Sequence, residues 1–181
     1  GEELTVFVQE GTGIAARSAV LAATAPQHDL ALLKISGAPL QALKLGDSDR
    51  VREGQEMLFT GYPILSVLGL YPATHRSLIA ALTPIAVPAD NAQQLTAKNI
   101  KRLVTPYNVF QLDGTAYPGN SGSPLYDPHT GTVIGIINAV FVKESKETIL
   151  AKPSGIAYAI PINFAWDLLR SVKMEATPAA P

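Results

Sequence analysis

Cysteine is missing altogether from the 181 residues. This excludes a disulfide framework, a cysteine-ligated zinc and a thiol nucleophile. An excess of one charge is missing too, since 14 Lys and Arg against 15 Asp and Glu leave a net charge of −1. With no basic stripe to meet phosphates, nucleic acid is not an expected partner. The longest apolar runs, such as Thr132 to Val142, are broken by Gly135 and Asn138 and are too short to cross a bilayer. Histidine is scarce, with only His28, His75 and His129. No two of them have metal-ligand spacing, so no metal site is expected. No secretory leader is read at Gly1, an absence without weight if the chain starts partway through its fold.

What is present is apolar and finely segmented. Apolar residues make up 47% and charged residues 16%, enough for one core or for two half-domains sharing an interface. Leu4 to Gln9 alternates, with Leu4, Val6 and Val8 on one face. Further strand-like runs follow at Ala15 to Ala23, Leu30 to Ile35, Glu56 to Thr60, Ser66 to Tyr71 and Ser77 to Val87. The pattern closes with Val109 to Leu112, Val133 to Val142 and Ile156 to Ile160. Many short strands with closely spaced Gly, Pro, Asn and Asp turns predict an all-β sandwich or barrel. Two helices are expected. One spans Asp90 to Leu103, and the other is capped by Asn163 and runs to about Met174, burying Phe164, Leu168 and Val172. The Ala/Pro tail at 176–181 reads as linker.

Chemistry concentrates in Pro118-Gly119-Asn120-Ser121-Gly122-Ser123-Pro124-Leu125. A serine hydroxyl attacks a carbonyl only when a base takes its proton and donors receive the oxyanion. Glycines on both sides of Ser121 allow a sharp turn that aims the Gly119 and Ser121 amides at one spot beside the hydroxyl. Taken alone, the stretch reads as an ordinary Gly/Pro turn, in which Ser is simply a turn residue. The nucleophile elbow of α/β-hydrolases is excluded, because it needs Gly where Ser123 stands and needs strand–helix alternation around it.

The stretch Gly119 to Leu125 resembles the Gly-Asn-Ser-Gly-Gly-Pro-Leu motif of trypsin-fold serine proteases, in their bacterial HtrA/Deg-like branch. Ser123 is its one departure. Other blocks fall in that family's order: His28 to Ile35, Leu43 to Asp49, Gly61-Tyr62-Pro63, Thr132 to Ile136 and Gly155 to Asn163. Residues 72–108 match poorly. The resemblance implies two six-stranded-type antiparallel β-barrels, the first incomplete at its N-terminus, with a C-terminal helix. It places the protease domain at 1–175, divided into the remainder of the first barrel at about 1–71, an insertion at 72–104, the second barrel at about 105–162 and the helix at 163–174.

By the same resemblance Ser121 is the nucleophile and Asp29 the acid that orients a histidine. Gly119, Asn120 and Ser121 form the oxyanion hole. Thr115, Ala116 and Tyr117, then Ile136, Ile137 and Asn138, line the substrate pocket. None of these pocket residues is acidic, so a small or medium aliphatic side chain is the expected occupant. No cofactor is implied. Polypeptides are the implied substrates, an oligomer is compatible with the sequence, and the implied location is periplasmic, envelope or extracellular.

The catalytic histidine of the family precedes the aspartate across one hairpin, which here falls just upstream of Gly1. None of the three histidines present replaces it convincingly. His28 adjoins Asp29, so on an extended strand the two side chains leave on opposite faces. His129 lies in the Asp127 to Gly131 turn, and His75 in a loop after Pro72, the only conceivable stand-in. The 181-residue chain alone is therefore expected to be inactive. Two alternatives remain at this stage: a pseudoprotease that binds peptides in its groove, and an interaction domain using 72–104.

Overall fold

The computed structural model describes residues 4–11, 13–64, 69–85, 106–138 and 156–172. Nine strands and one helix are named here in chain order. Leu4–Glu10 (β1), Gly13–Ala25 (β2) and Leu30–Ile35 (β3) pair antiparallel in sequence to give a three-stranded sheet. Glu56–Gly61 (β4), Ala73–Pro84 (β5), Asn108–Asp113 (β6), Pro124–Tyr126 (β7), Val133–Asn138 (β8) and Ile156–Pro161 (β9) form a closed barrel in the order β4-β5-β6-β9-β8-β7. Asn163–Ser171 (α1) follows directly.

Alternation decides which face is buried. On β4, Met57, Phe59 and Gly61 point inward, and Ser77 and Ile79 do so on β5. With Leu112, Leu125 and Ile137 they fill the barrel. Phe59, Ile79, Leu112 and Leu125 are all 0% exposed. Burying each such side chain contributes about 1.5–3 kcal/mol. A second cluster, Ala25, Leu30, Ile160 and Leu168, joins the open sheet to the barrel through α1, with Ile136 and Phe164 packed against it.

The segment between the two sheets is clasped rather than loose. Lys44 and Gly46 bond Val133 on β8, through Val133 N–H to Lys44 O and Gly46 N–H to Val133 O, both 2.8 Å. The Trp166 indole donates to Gly46 O at 3.0 Å. Ser48 and Asn163 exchange bonds reciprocally: Asn163 N–H donates to Ser48 Oγ, and Ser48 N–H donates to Asn163 Oδ1, each at 3.1 Å. Asn163 Nδ2 also donates to Asp47 at 3.0 Å. That bond comes first in holding the Asp47 carboxyl below its ordinary pKa, with the Asp49 N–H second.

Several expectations are corrected by these contacts. Asn163 does not cap its own helix; the cap residue is Ile162, with no side-chain bond, and the Asn163 amide reaches back to Asp47 and Ser48. Strand membership follows pairing rather than chain order. β4, assigned by sequence to the first barrel's 1–71, belongs to the second barrel because it pairs with β5 and β7. β5, at the start of the supposed 72–104 insertion, is an integral barrel strand, begins earlier than Ser77 and carries His75 within it. Of the strand expected at Ser66 to Tyr71, the described part, Gly69 to Tyr71, is not strand, and the rest lies outside the described residues. The helix expected at Asp90 to Leu103 and the tail at 176–181 lie outside the described residues.

Candidate active site

Two consecutive turns present Ser121. In the first, Tyr117-Pro118-Gly119-Asn120, the Asn120 N–H donates to Tyr117 O at 3.0 Å. In the second, Asn120-Ser121-Gly122-Ser123, the Ser123 N–H donates to Asn120 O at 3.0 Å. Each turn has glycine third, with φ +102° at Gly119 and +87° at Gly122, the left-handed conformation that such a turn demands there. The second turn is stitched to β8. Gly122 N–H donates to Ile137 O at 2.8 Å, and Ile137 N–H to Ser123 O at 2.9 Å. The two residues that follow Ser121 are thus held by one residue of the barrel.

Asp29 comes from the other sheet. Pro26 to Asp29 is a turn between β2 and β3, closed by His28 N–H to Ala25 O at 3.0 Å. Asp29 adopts φ +58°, which a short polar side chain tolerates. Its carboxylate accepts from Asn138 Nδ2 at 3.1 Å. Asn138 directly follows Ile137, so the acid and the serine loop are tied to adjacent residues of β8.

The remaining expected residues divide. The Asn120 amide, counted among the oxyanion donors, is instead given to Tyr117 O. The Asn120 side chain is fully buried, and neither its Nδ2 nor its Oδ1 has a partner among the described residues. Asn138, expected in the pocket lining, turns its amide to Asp29. Strand register, open in the sequence, sends Ile137 into the barrel core and Ile136 toward the second cluster. Ala116 is buried in the barrel core, and Thr115 and Tyr117 are half-buried.

The histidines are placed by their aromatic contacts. His28 lies in a turn, not on an extended strand, and stacks on Phe164 at 3.9 Å with Tyr107 edge-on at 4.8 Å. His75 stacks on its cross-strand partner Phe59 at 4.8 Å, with the Tyr117 ring at 6.3 Å. Its Nε2 is buried without a partner among the described residues, and desolvation holds its pKa below the ordinary 6.5. The His129 N–H and the Thr130 N–H and hydroxyl all donate to Asp127 Oδ1, closing the turn before β8.

The loop after β4 packs under the first turn, which sequence reasoning missed. Ile64 N–H donates to Pro118 O at 2.8 Å. A Cβ on Gly119 would stand 2.3 Å from Tyr62 O, and one on Gly61 would stand 2.1 Å from Ser123 Oγ. Ser123, the departure from the motif, therefore fits because Gly61 faces it. The Gly61-Tyr62-Pro63 block was the available signal, but it reads as a turn and names no partner. Ile64 itself has φ +48°, a conformation costing a β-branched residue about 1–3 kcal/mol.

A closed six-stranded antiparallel barrel beside a second sheet, with a glycine-flanked serine and an aspartate meeting at one strand end, has the architecture of a chymotrypsin-like peptidase. Residues 2–136 match the sequence profile of the trypsin-like peptidase domain, and the chain belongs to that family, in its HtrA/Deg-like branch. It is 32% identical over 161 residues to a probable periplasmic serine endoprotease, DegP-like, of Marinomonas sp. (strain MWYL1), covering 87% of this chain and 28% of the relative. It is 33% identical over 161 residues to the magnetosome formation protease MamE of Paramagnetospirillum magneticum, covering 88% and 19%. Among solved structures, the HtrA-type protease AlgW with tripeptide superposes with a TM-score of 0.65 at 30% identity, covering 93% of this chain and 47% of that one. The chain thus spans less than a third of the length of these two curated relatives.

Proposed function

We propose that the protein is a serine endopeptidase that cleaves polypeptides through an acyl-enzyme on Ser121. One observation carries the reading. Asp29 from the open sheet is bonded to Asn138, the residue next to Ile137, whose backbone holds Gly122 and Ser123, the two residues after Ser121. That arrangement supports reading Asp29 and Ser121, which come from different parts of the fold, as the acid and the nucleophile of a triad. The third member, a histidine, lies on this reading in chain preceding Gly1, oriented by Asp29.

In the reaction the histidine takes the Ser121 hydroxyl proton as Oγ bonds the scissile carbonyl carbon. The carbonyl oxygen becomes an anion facing the Gly119 and Ser121 amides. Collapse breaks the C–N bond, and the leaving amine departs with the proton returned by the histidine. Water, deprotonated by the same base, then hydrolyses the ester and restores Ser121. Of the pocket residues, Tyr117 and its neighbours Thr115 and Ala116 provide no acid, so the reading includes a preference for small or medium aliphatic side chains. The AlgW structure with tripeptide supports a peptide substrate. The DegP-like relatives' names support a periplasmic or envelope location.

The test is labelling by a fluorophosphonate probe. A chain extended upstream to include the histidine should react at Ser121, and the 181-residue chain should not. Peptide binding without labelling in the extended chain would instead establish the pseudoprotease alternative. Rapid labelling of the 181-residue chain would show that a group within it acts as base.

A further inference from the structure

We propose that Ile64 is a positioning residue whose backbone N–H sets the plane of the Pro118–Gly119 peptide and so aims the Gly119 N–H at the reacting carbonyl oxygen. The inference rests on the endopeptidase reading above and assigns a part of its machinery to a loop outside the serine motif.

Only two non-glycine residues among those described have positive φ, Asp29 and Ile64. Asp accepts that conformation for local reasons, whereas a β-branched residue does so only when its surroundings impose it. The surroundings of Ile64 are the first turn of the serine loop. Its N–H meets Pro118 O at 2.8 Å, and the preceding Tyr62 O lies so close to Gly119 Cα that a Cβ there would sit 2.3 Å away. Two backbones are in direct contact, with no side chain between them.

The consequence follows from peptide planarity. In a trans peptide the C=O and the following N–H point in opposite directions. Anchoring Pro118 O on Ile64 therefore turns the Gly119 N–H away from the β4 loop. That N–H donates to no acceptor among the described residues. It is an unspent donor with a fixed direction, which is what stabilising a developing oxyanion requires. With the peptide reversed, the Pro118 carbonyl would face the oxyanion and repel it. The bond from Ile64 opposes that reversal.

The experiment replaces Ile64 in the full-length, active protein by its α-hydroxy acid, which exchanges the N–H for an ester oxygen and keeps the side chain. We expect kcat to fall by about 10- to 100-fold, approaching the loss of an oxyanion donor itself. KM should stay within about threefold. Affinity for a peptide boronate, which forms a tetrahedral adduct on the serine, should fall in parallel with kcat, while affinity for the corresponding cleavage-product peptide holds. Ile64→Gly, which keeps the N–H and relaxes the backbone, should lose less kcat than the ester variant does. An ester variant with unchanged kcat and boronate affinity overturns the inference alone. So does a variant that loses product-peptide binding and thermal stability along with kcat, since that marks a merely structural role. A wild-type protein that fails to react at Ser121 overturns the endopeptidase reading, and this inference with it.

Discussion

The open sheet and the closed barrel use the same alternating pattern with opposite results. In the barrel every strand has two paired edges, and Phe59, Ile79, Leu112 and Leu125 are fully buried. In the sheet, among the described residues, β1 and β3 each pair on one side only, and Phe7, Ile14, Val20 and Leu21 are 50 to 61% exposed. Closure removes unpaired edges and water together. The barrel can therefore hold a strained loop such as Tyr62–Ile64 rigidly against the serine turns. The sheet supplies Asp29 from a turn whose position depends on α1 and on the bond to Asn138. The site joins a rigid half to a half that is held from outside.

The sharpest way to break that comparison is catalytic. If the two halves form one triad, Ser121→Ala from the barrel and Asp29→Asn from the sheet should each lower kcat of the active full-length protein by about 10⁴-fold. Steady-state hydrolysis of a peptide substrate measures both. A loss under about tenfold for Asp29→Asn would leave the sheet without a catalytic part.

Stability offers the next largest contrast. Phe59→Ala in the barrel should cost about 3–5 kcal/mol through lost contacts and a cavity. Phe7→Ala, on the sheet's exposed side, should stay within about 0.5 kcal/mol. Urea midpoints of the two variants decide it, and equal costs would mean that the sheet's outer face is packed in solution.

The clasp between the halves comes third. Asn163→Ala removes the bonds to Ser48 N–H and to Asp47, and should cost about 1–3 kcal/mol. The Asp47 carboxyl, held below its ordinary 3.8 first by Asn163, contributes stability that is present above that value and lost as pH falls through its folded pKa. In Asn163→Ala that acid-side loss should shrink, which thermal melts between about pH 2 and pH 5 would detect.

The smallest effect concerns His75. Because desolvation lowers its pKa below 6.5 in the folded barrel, the unfolded chain binds the proton more readily. Stability should then be fully present above about pH 6.5 and decline as pH falls below it. His75→Phe keeps a ring against Phe59 and removes the titration. Its urea midpoint should change less between about pH 7.5 and pH 5 than the parent's does. An identical pH slope in both proteins would exclude His75 as its source.

Much of this was legible in the sequence because it depends on local chemistry. Alternating apolar residues marked most strands, and Pro-Gly and Ser-Gly marked the two turns that bend the chain sharply at Ser121. Asp29 was singled out through the order of motif blocks, and its geometry then joined it to β8. Other properties depend on which segments meet, and no local pattern states that. Whether β4 joins the first or the second barrel is settled by its pairing with β5 and β7. Whether Ile136 or Ile137 enters the core is settled by register, since a shift of one residue exchanges the two faces. Asn163 looked like a cap because Asn before a helix usually is one, yet Ser48, 115 residues away in sequence, claimed its amide. The left-handed Ile64 runs against every local preference of a β-branched side chain. Only its contact with Pro118, formed when β4 and the serine loop close the same barrel, explains why the chain accepts it.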